Sequence, residues 1–237
     1  MSKNYNFQLA DHSTGEVIQD SGGKLYVVAA GGTAKLALTD KDGATVTNPV
    51  SLTNGKADFW VADSVTSIDI YGFGPNGHAI TFRGISPSGP NELRIDQSNK
   101  MQAAIIPFDV ADQAGDNTET DTGLDEPTNA VFLPSPVVRT VTLDATETID
   151  VGTDSTDSGD ADGFIAGVSV ATAVTLVGTL TNGSNTLGAL FEVQDSANSG
   201  DLTHEAHISG GKSITWTLSA GADDAAGFIV LPYMLTV

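Results

Sequence analysis

The chain has 237 residues, 30 acidic and 10 basic, for a formal net charge of −20. It has no cysteine, which excludes disulfides and thiolate-held metals. Hydrophobic residues make up 40% and mean hydropathy is −0.01, so this is globular material rather than a disordered chain, and long enough to bury a sizeable core. The acid is concentrated: residues 1–100 hold 10 acidic and 8 basic groups, while residues 101–237 hold 20 acidic and 2 basic, Arg139 and Lys212. A half with a net charge of −18 repels nucleic acid and anionic membrane, so neither is an expected partner. Apolar runs such as Ala103–Phe108 are too short to cross a bilayer. The opening MSKNYNFQLA lacks the apolar stretch of a secretory signal.

No long window carries apolar residues at helical spacing, and glycine is abundant, so the expected fold class is all-β. Lys24–Ala30 is a short β-branched and aromatic run between glycine pairs. Lys35–Leu38 alternates and ends at the turn Asp40-Lys-Asp-Gly43. Ala57–Val61 and Ser67–Tyr71 alternate again, followed by turn residues Gly72–Gly77. These strands predict a β-sandwich over residues 1–95. Residues 96–130 follow as an acidic linker or extended arm, in which 109–130 carry seven acidic groups and no basic one. Strands then resume at Val137–Leu143, Thr148–Val151, Phe164–Val170, Val174–Leu180, Leu190–Val193, Ser213–Leu218 and Gly227–Val237. Asn182-Gly183 is a hairpin signal. This count suits a jelly-roll-like second domain over residues 131–237.

Catalytic patterns are lacking: no Gly-x-Ser-x-Gly elbow is present, and Gly210-Gly-Lys-Ser213 has the wrong spacing for a phosphate loop and precedes a strand. His204-Glu-Ala-His207 places two imidazoles three apart, which in β structure point to opposite sides and read as surface histidines. The run GTDSTDSGDADGF (152–164) offers four carboxylates and an Asp-Gly end, suggestive of calcium. Without the spacing or flanking helices of an EF-hand it reads first as a structured turn sending Phe164 into the core. Asp160 and Asp162 are the better pair if a calcium ion binds there; no other cofactor is expected.

Residues 144–152 (DATETIDVG), 159–173 (GDADGFIAGVSVATA), 184–190, 211–216 and 226–233 together resemble a module of tailed-bacteriophage virion proteins. The stretch 38–61, LTDKDGATVTNPVSLTNGKADFWV, resembles small β-sandwich modules of phage fibres and heads. The resemblance implies a non-enzymatic capsid decoration or cement protein on the outer surface of the icosahedral head. Its partners would be the major capsid protein and two further copies of itself in a homotrimer. On that expectation the near-neutral first domain docks, the acidic domain faces outward, and Phe59, Trp60 and Tyr71 are candidate interface anchors, with core packing the stronger expectation for Phe59. The rival expectation, from another class, is a receptor-binding fibre or spike module that attaches to host surface glycan.

Overall fold

The computed structural model describes residues 2–11, 14, 16–19, 22–87, 90–95, 100–144, 147–171, 173, 175–176, 189–194, 202–204, 207–219 and 224–236. The fold is all-β, its helical residues confined to single 3₁₀ turns among the described residues.

The first half contains β1 (Ser2–Asp11), β2 (Lys24–Ala29), β3 (Leu38–Thr39), β4 (Thr45–Val46) and β5 (Val50–Ser51). β6 (Lys56–Ala62), β7 (Ile68–Phe73), β8 (Ala79–Ile85) and β9 (Pro90–Ile95) complete it. They form two sheets, β4-β3-β6-β1-β9 and β5-β2-β7-β8. β1 lies antiparallel to β6 and parallel to β9. The period-2 pattern decides which residues face in: on β6, Ala57, Phe59 and Val61 are buried while Lys56 and Asp58 are exposed. Tyr5, Phe7 and Phe59 lie with ring centroids 5.6–6.2 Å apart at the centre of this core. Leu25, Val27, Ile68, Ile70 and Ile80 close it from the other sheet. The Asn54-Gly55 turn has φ of 50° and 67°, and Thr53 and Lys56 exchange both backbone hydrogen bonds across it. A Cβ on Gly55 would stand 2.0 Å from the Ile18 carbonyl oxygen, so only glycine fits.

The second half contains β10 (Met101–Asp109), β11 (Thr120–Asp125), β12 (Ala130–Phe132), β13 (Val137–Thr142), β14 (Thr148–Thr153) and β15 (Ile165–Ser169). Then come β16 (Thr175–Leu176), β17 (Glu192–Gln194), β18 (Leu202–His204), β19 (His207–Ile208), β20 (Ser213–Leu218) and β21 (Ala226–Leu235). One sheet runs β16-β13-β21-β12-β19 with β10 also on β21, a second runs β11-β20-β14-β15, and β17 pairs β18. Phe108, Phe132, Phe164, Ile229, Leu231, Tyr233 and Trp216 fill the core that these strands enclose. The predicted hairpin at Asn182-Gly183 lies outside the described residues.

Two expectations need correction. Residues 96–130 are not a linker where the structure describes them. β10 pairs with β21 over its whole length, and β11 pairs with β20. The acidic groups of this stretch sit mostly in turns or on outward positions, so the strands between them are free to pack. Nor are the two halves separate bodies joined by an arm. The sheet β5-β2-β7-β8 gives Leu25, Val27, Ile68 and Ile70 to the first core, and Tyr26, Val28, Tyr71 and Phe73 to the second. Every residue of β7 is therefore buried, although Ser67–Tyr71 alternates polar and apolar residues in sequence.

Polar groups stitch the same junction. The Asp112 carboxylate accepts from the Tyr26 hydroxyl at 3.1 Å and from the Lys35 amide at 3.0 Å, and Asp109 accepts from the Thr33 hydroxyl. Lys24 and Asp125 form an ion pair at 3.0 Å. Each carboxylate comes from the acidic half and each partner from the near-neutral half.

Candidate functional site

The acidic run 152–164 is an ordered turn between β14 and β15. Asp154 caps a 3₁₀ turn (Ser155–Asp157) by accepting from the Thr156 amide; the bond from the Thr156 hydroxyl, and after it this amide bond, hold its carboxyl below the usual range. Ser158 takes the left-handed conformation at φ 56°. The Thr153 amide donates to the Asp160 carbonyl at 2.7 Å, the Asp160 amide donates to the Thr153 hydroxyl at 3.0 Å, and the Phe164 amide donates to the Val151 carbonyl at 2.9 Å. Phe164 is fully buried, with its ring 5.1 Å from that of Phe132. Asp160 and Asp162 do come together, but as a hydrogen-bonded carboxyl pair: the bond to Asp162 raises the Asp160 pKa first, with burial adding to it. No group of three or more His, Asp or Glu side chains suited to a metal ion exists among the described residues.

Beside this turn stands a group that spacing did not reveal. Glu126, buried, accepts from His207 Nε2 at 3.0 Å, from the Gly210 amide at 2.9 Å and from the Lys212 amide at 3.3 Å. Lys212 Nζ donates to the Ser158 carbonyl, and a cavity of about 270 Å³ lies between them, lined by Thr153, Asp160, Leu190 and the Glu126–His207 pair. His207 is thus not the surface histidine expected, since its ring packs against Phe132 and Phe164 and its nitrogen is tied to Glu126. His204 lies on β18, and residues 205–206 lie outside the described residues. The Glu126 carboxylate accepts from three donors, two of them backbone, which makes it a clasp that holds the 207–212 segment against β11 and β12.

The three aromatic candidates divide. Phe59 and Tyr71 are wholly buried, Phe59 in the first core and Tyr71 in the second, and neither can anchor a partner. Tyr71 lies 5.6 Å from the Phe228 ring, with the Arg83 guanidinium over both. Trp60 is half-buried on the opposite face of β6 from Phe59, in register with Asn4 and Thr39.

The structure instead exposes an apolar sheet face elsewhere. On β10 and β21 the in-register pairs Met101–Met234, Ala103–Pro232 and Ile105–Val230 lie on one face, with Val131 of β12 beside Met234. Met101 is 53% and Met234 40% exposed, Ala103 is exposed, and Ile105, Val131, Val230 and Pro232 are half-buried. No carboxylate interrupts these pairs; Arg139, opposite Phe228, stands at one margin and the exposed Lys100, just before Met101, at the other. Towards that margin the face passes under the first half, where Phe228 meets Tyr71. Contiguous apolar surface of this kind marks a contact surface more often than chance. Compared with known proteins, the chain matches no family model, no curated protein sequence and no solved structure.

Proposed function

We propose that the chain is a non-enzymatic decoration protein of a tailed-bacteriophage head, assembling as a homotrimer on the outer surface of the capsid. The observation that carries the reading is the uncharged face of Met101, Ala103, Val131, Pro232 and Met234 on a molecule of net charge −20. Two such molecules repel each other wherever carboxylates meet, and this face is where copies approach without that cost. The sequence likeness of residues 38–61 and 130–237 to virion modules supports the same class.

In this reading the half-buried Trp60 and the neighbouring Asn4 and Thr39, on the outer side of the sheet β4-β3-β6-β1-β9, meet the major capsid protein. The acidic half points to solvent. Three weak docking contacts held in one trimer act together through effective concentration, and the bound state stabilises the shell by mass action. Junctions within the chain are already fastened by inward-turned carboxylates such as Asp109, Asp112 and Glu126, which suits a protein whose work is mechanical.

Quantitative mass spectrometry of purified virions tests the class: hundreds of copies are expected, and a handful would point to a fibre instead. Sedimentation of the isolated chain tests the trimer, with Met101→Glu plus Met234→Glu expected to give a folded monomer. A wild-type chain that sediments as a monomer at all concentrations would overturn the self-contact.

A further inference from the structure

At one end of the junction between the halves lies a cleft of about 660 Å³. That is the size of a small-molecule site, for which about 300–1,000 Å³ is usual. Three loops enclose it: Gly22–Lys24 ahead of β2, Gly74–Gly77 between β7 and β8, and 125–129 between β11 and β12, with Ser51 and Leu52 alongside. It is built from both halves and is separate from the uncharged face.

The loops are held in place before any ligand arrives. Tyr233 donates its hydroxyl to the Gly77 carbonyl at 2.5 Å, and Asn129 Nδ2 donates to the Asn76 carbonyl at 3.4 Å. Gly77, at φ +77°, packs so closely that a Cβ there would lie 2.5 Å from Pro127 Cβ, and a Cβ on Gly23 would lie 2.5 Å from the Phe73 carbonyl oxygen. A cleft with a fixed backbone loses little entropy when it is filled.

The lining selects among ligands by charge. Its one ammonium, Lys24, is matched by Asp125 at 3.0 Å, and Glu126 adds a second carboxylate to the lining, so the cleft presents no excess positive charge to a phosphate or carboxylate. The surrounding charge of −20 disfavours anions further. What remains is the Lys24–Asp125 pair, the hydroxyls of the exposed Ser51 and Thr128 and the amide group of Asn129, above the buried side chains of Leu52, Phe73 and Pro127. The Glu126 carboxylate, also in the lining, is taken up by His207, Gly210 and Lys212. A hydroxyl both donates and accepts, and a pyranose carries hydroxyls around its rim and C–H groups on its faces. We infer that this cleft binds a neutral saccharide unit, as a free sugar or as the terminal residue of a glycan. The inference stands apart from the virion reading, because sugar binding holds or fails whatever the chain assembles with.

The test is an amide-detected NMR titration of the full chain with glucose, galactose, N-acetylglucosamine and, for contrast, glucuronate. At least one neutral sugar is expected to give saturable, millimolar shifts at Lys24, Gly74, Gly77 and Asn129, with glucuronate weaker by about tenfold. Asp125→Asn leaves Lys24 unmatched, so the preference should move toward glucuronate; a thermal melt of the variant confirms that it is folded. No saturable shift in these loops with any of the neutral sugars, or tighter binding of glucuronate by the wild-type chain, overturns the assignment.

Discussion

Among the described residues two sheets carry apolar residues on both faces, and they differ in how far the second face is covered. The sheet β5-β2-β7-β8 places Ile68 and Ile70 in one core and Tyr71 and Phe73 in the other. The sheet around β10 and β21 buries Ile106, Phe108, Ile229 and Leu231 on one side, yet leaves Met101, Ala103 and Met234 in water on the other. The first sheet shows what the chain does when it supplies both covers itself: it adds a tyrosine, a guanidinium stacked on it, and carboxylates that finish the backbone bonds. The second sheet leaves the Met101–Met234 end of its outer face without such a cover among the described residues, which is the face that the proposed trimer would bury.

The comparison breaks most visibly on its covered side. Tyr71→Ala should cost about 3–5 kcal/mol, read as a large fall in melting temperature, because a fully buried ring is removed from the second core. Next in size, Glu126→Gln should cost about 1–3 kcal/mol in denaturant unfolding, since the buried oxygens that serve His207, Gly210 and Lys212 are partly lost.

A smaller effect follows pH. Burial raises the Asp112 pKa above its ordinary value of 3.8, so between that value and the raised one the folded chain binds the extra proton. Stability at this site therefore falls as pH rises through that window and recovers as pH falls back through it. The difference between wild type and Asp112→Asn, followed by thermal melts across the acid range, should show that slope. Smallest of all, Met234→Glu on the uncovered face should change the stability of the isolated chain by no more than about 0.5 kcal/mol, and on the proposed trimer it should abolish self-association. Comparable losses for Met234→Glu and Tyr71→Ala would erase the distinction between the two sheets.

Much of the first half was legible because its strands alternate: Ala57–Val61 and Lys24–Ala30 fall almost where β6 and β2 lie, and Asn54-Gly55 makes the turn its residues demand. The second half misled for physical reasons. In Thr120–Asp125 the alternation is present, but the inward residues include threonines: Thr122 is buried and donates its hydroxyl to the Ile214 carbonyl at 2.6 Å. A count of apolar residues passes over such a strand. The run Ala103–Phe108 was visible as apolar, yet an unbroken run does not say which of its faces stays wet. Glu126 was hidden among seven acidic groups, and only the fold distinguishes it from Asp116 or Glu119, both exposed or half-exposed. Phe59 and Tyr71 show the converse: an aromatic in a strand is as good a core residue as an anchor, and here both are core.

β21 also bears on how the molecule comes to be folded. It lies against β10 along one edge and against β13 and β12 along the other, with partners such as Met101 more than a hundred residues earlier in the chain. Closing loops of that length precedes any reward from the contacts, so the sheet forms late and slowly. Until Ala226–Leu235 slots in, three strands present bare hydrogen-bonding edges to whatever is near. The twenty carboxylates of this half then act as a kinetic safeguard, holding unfinished chains apart while the last strand finds its place.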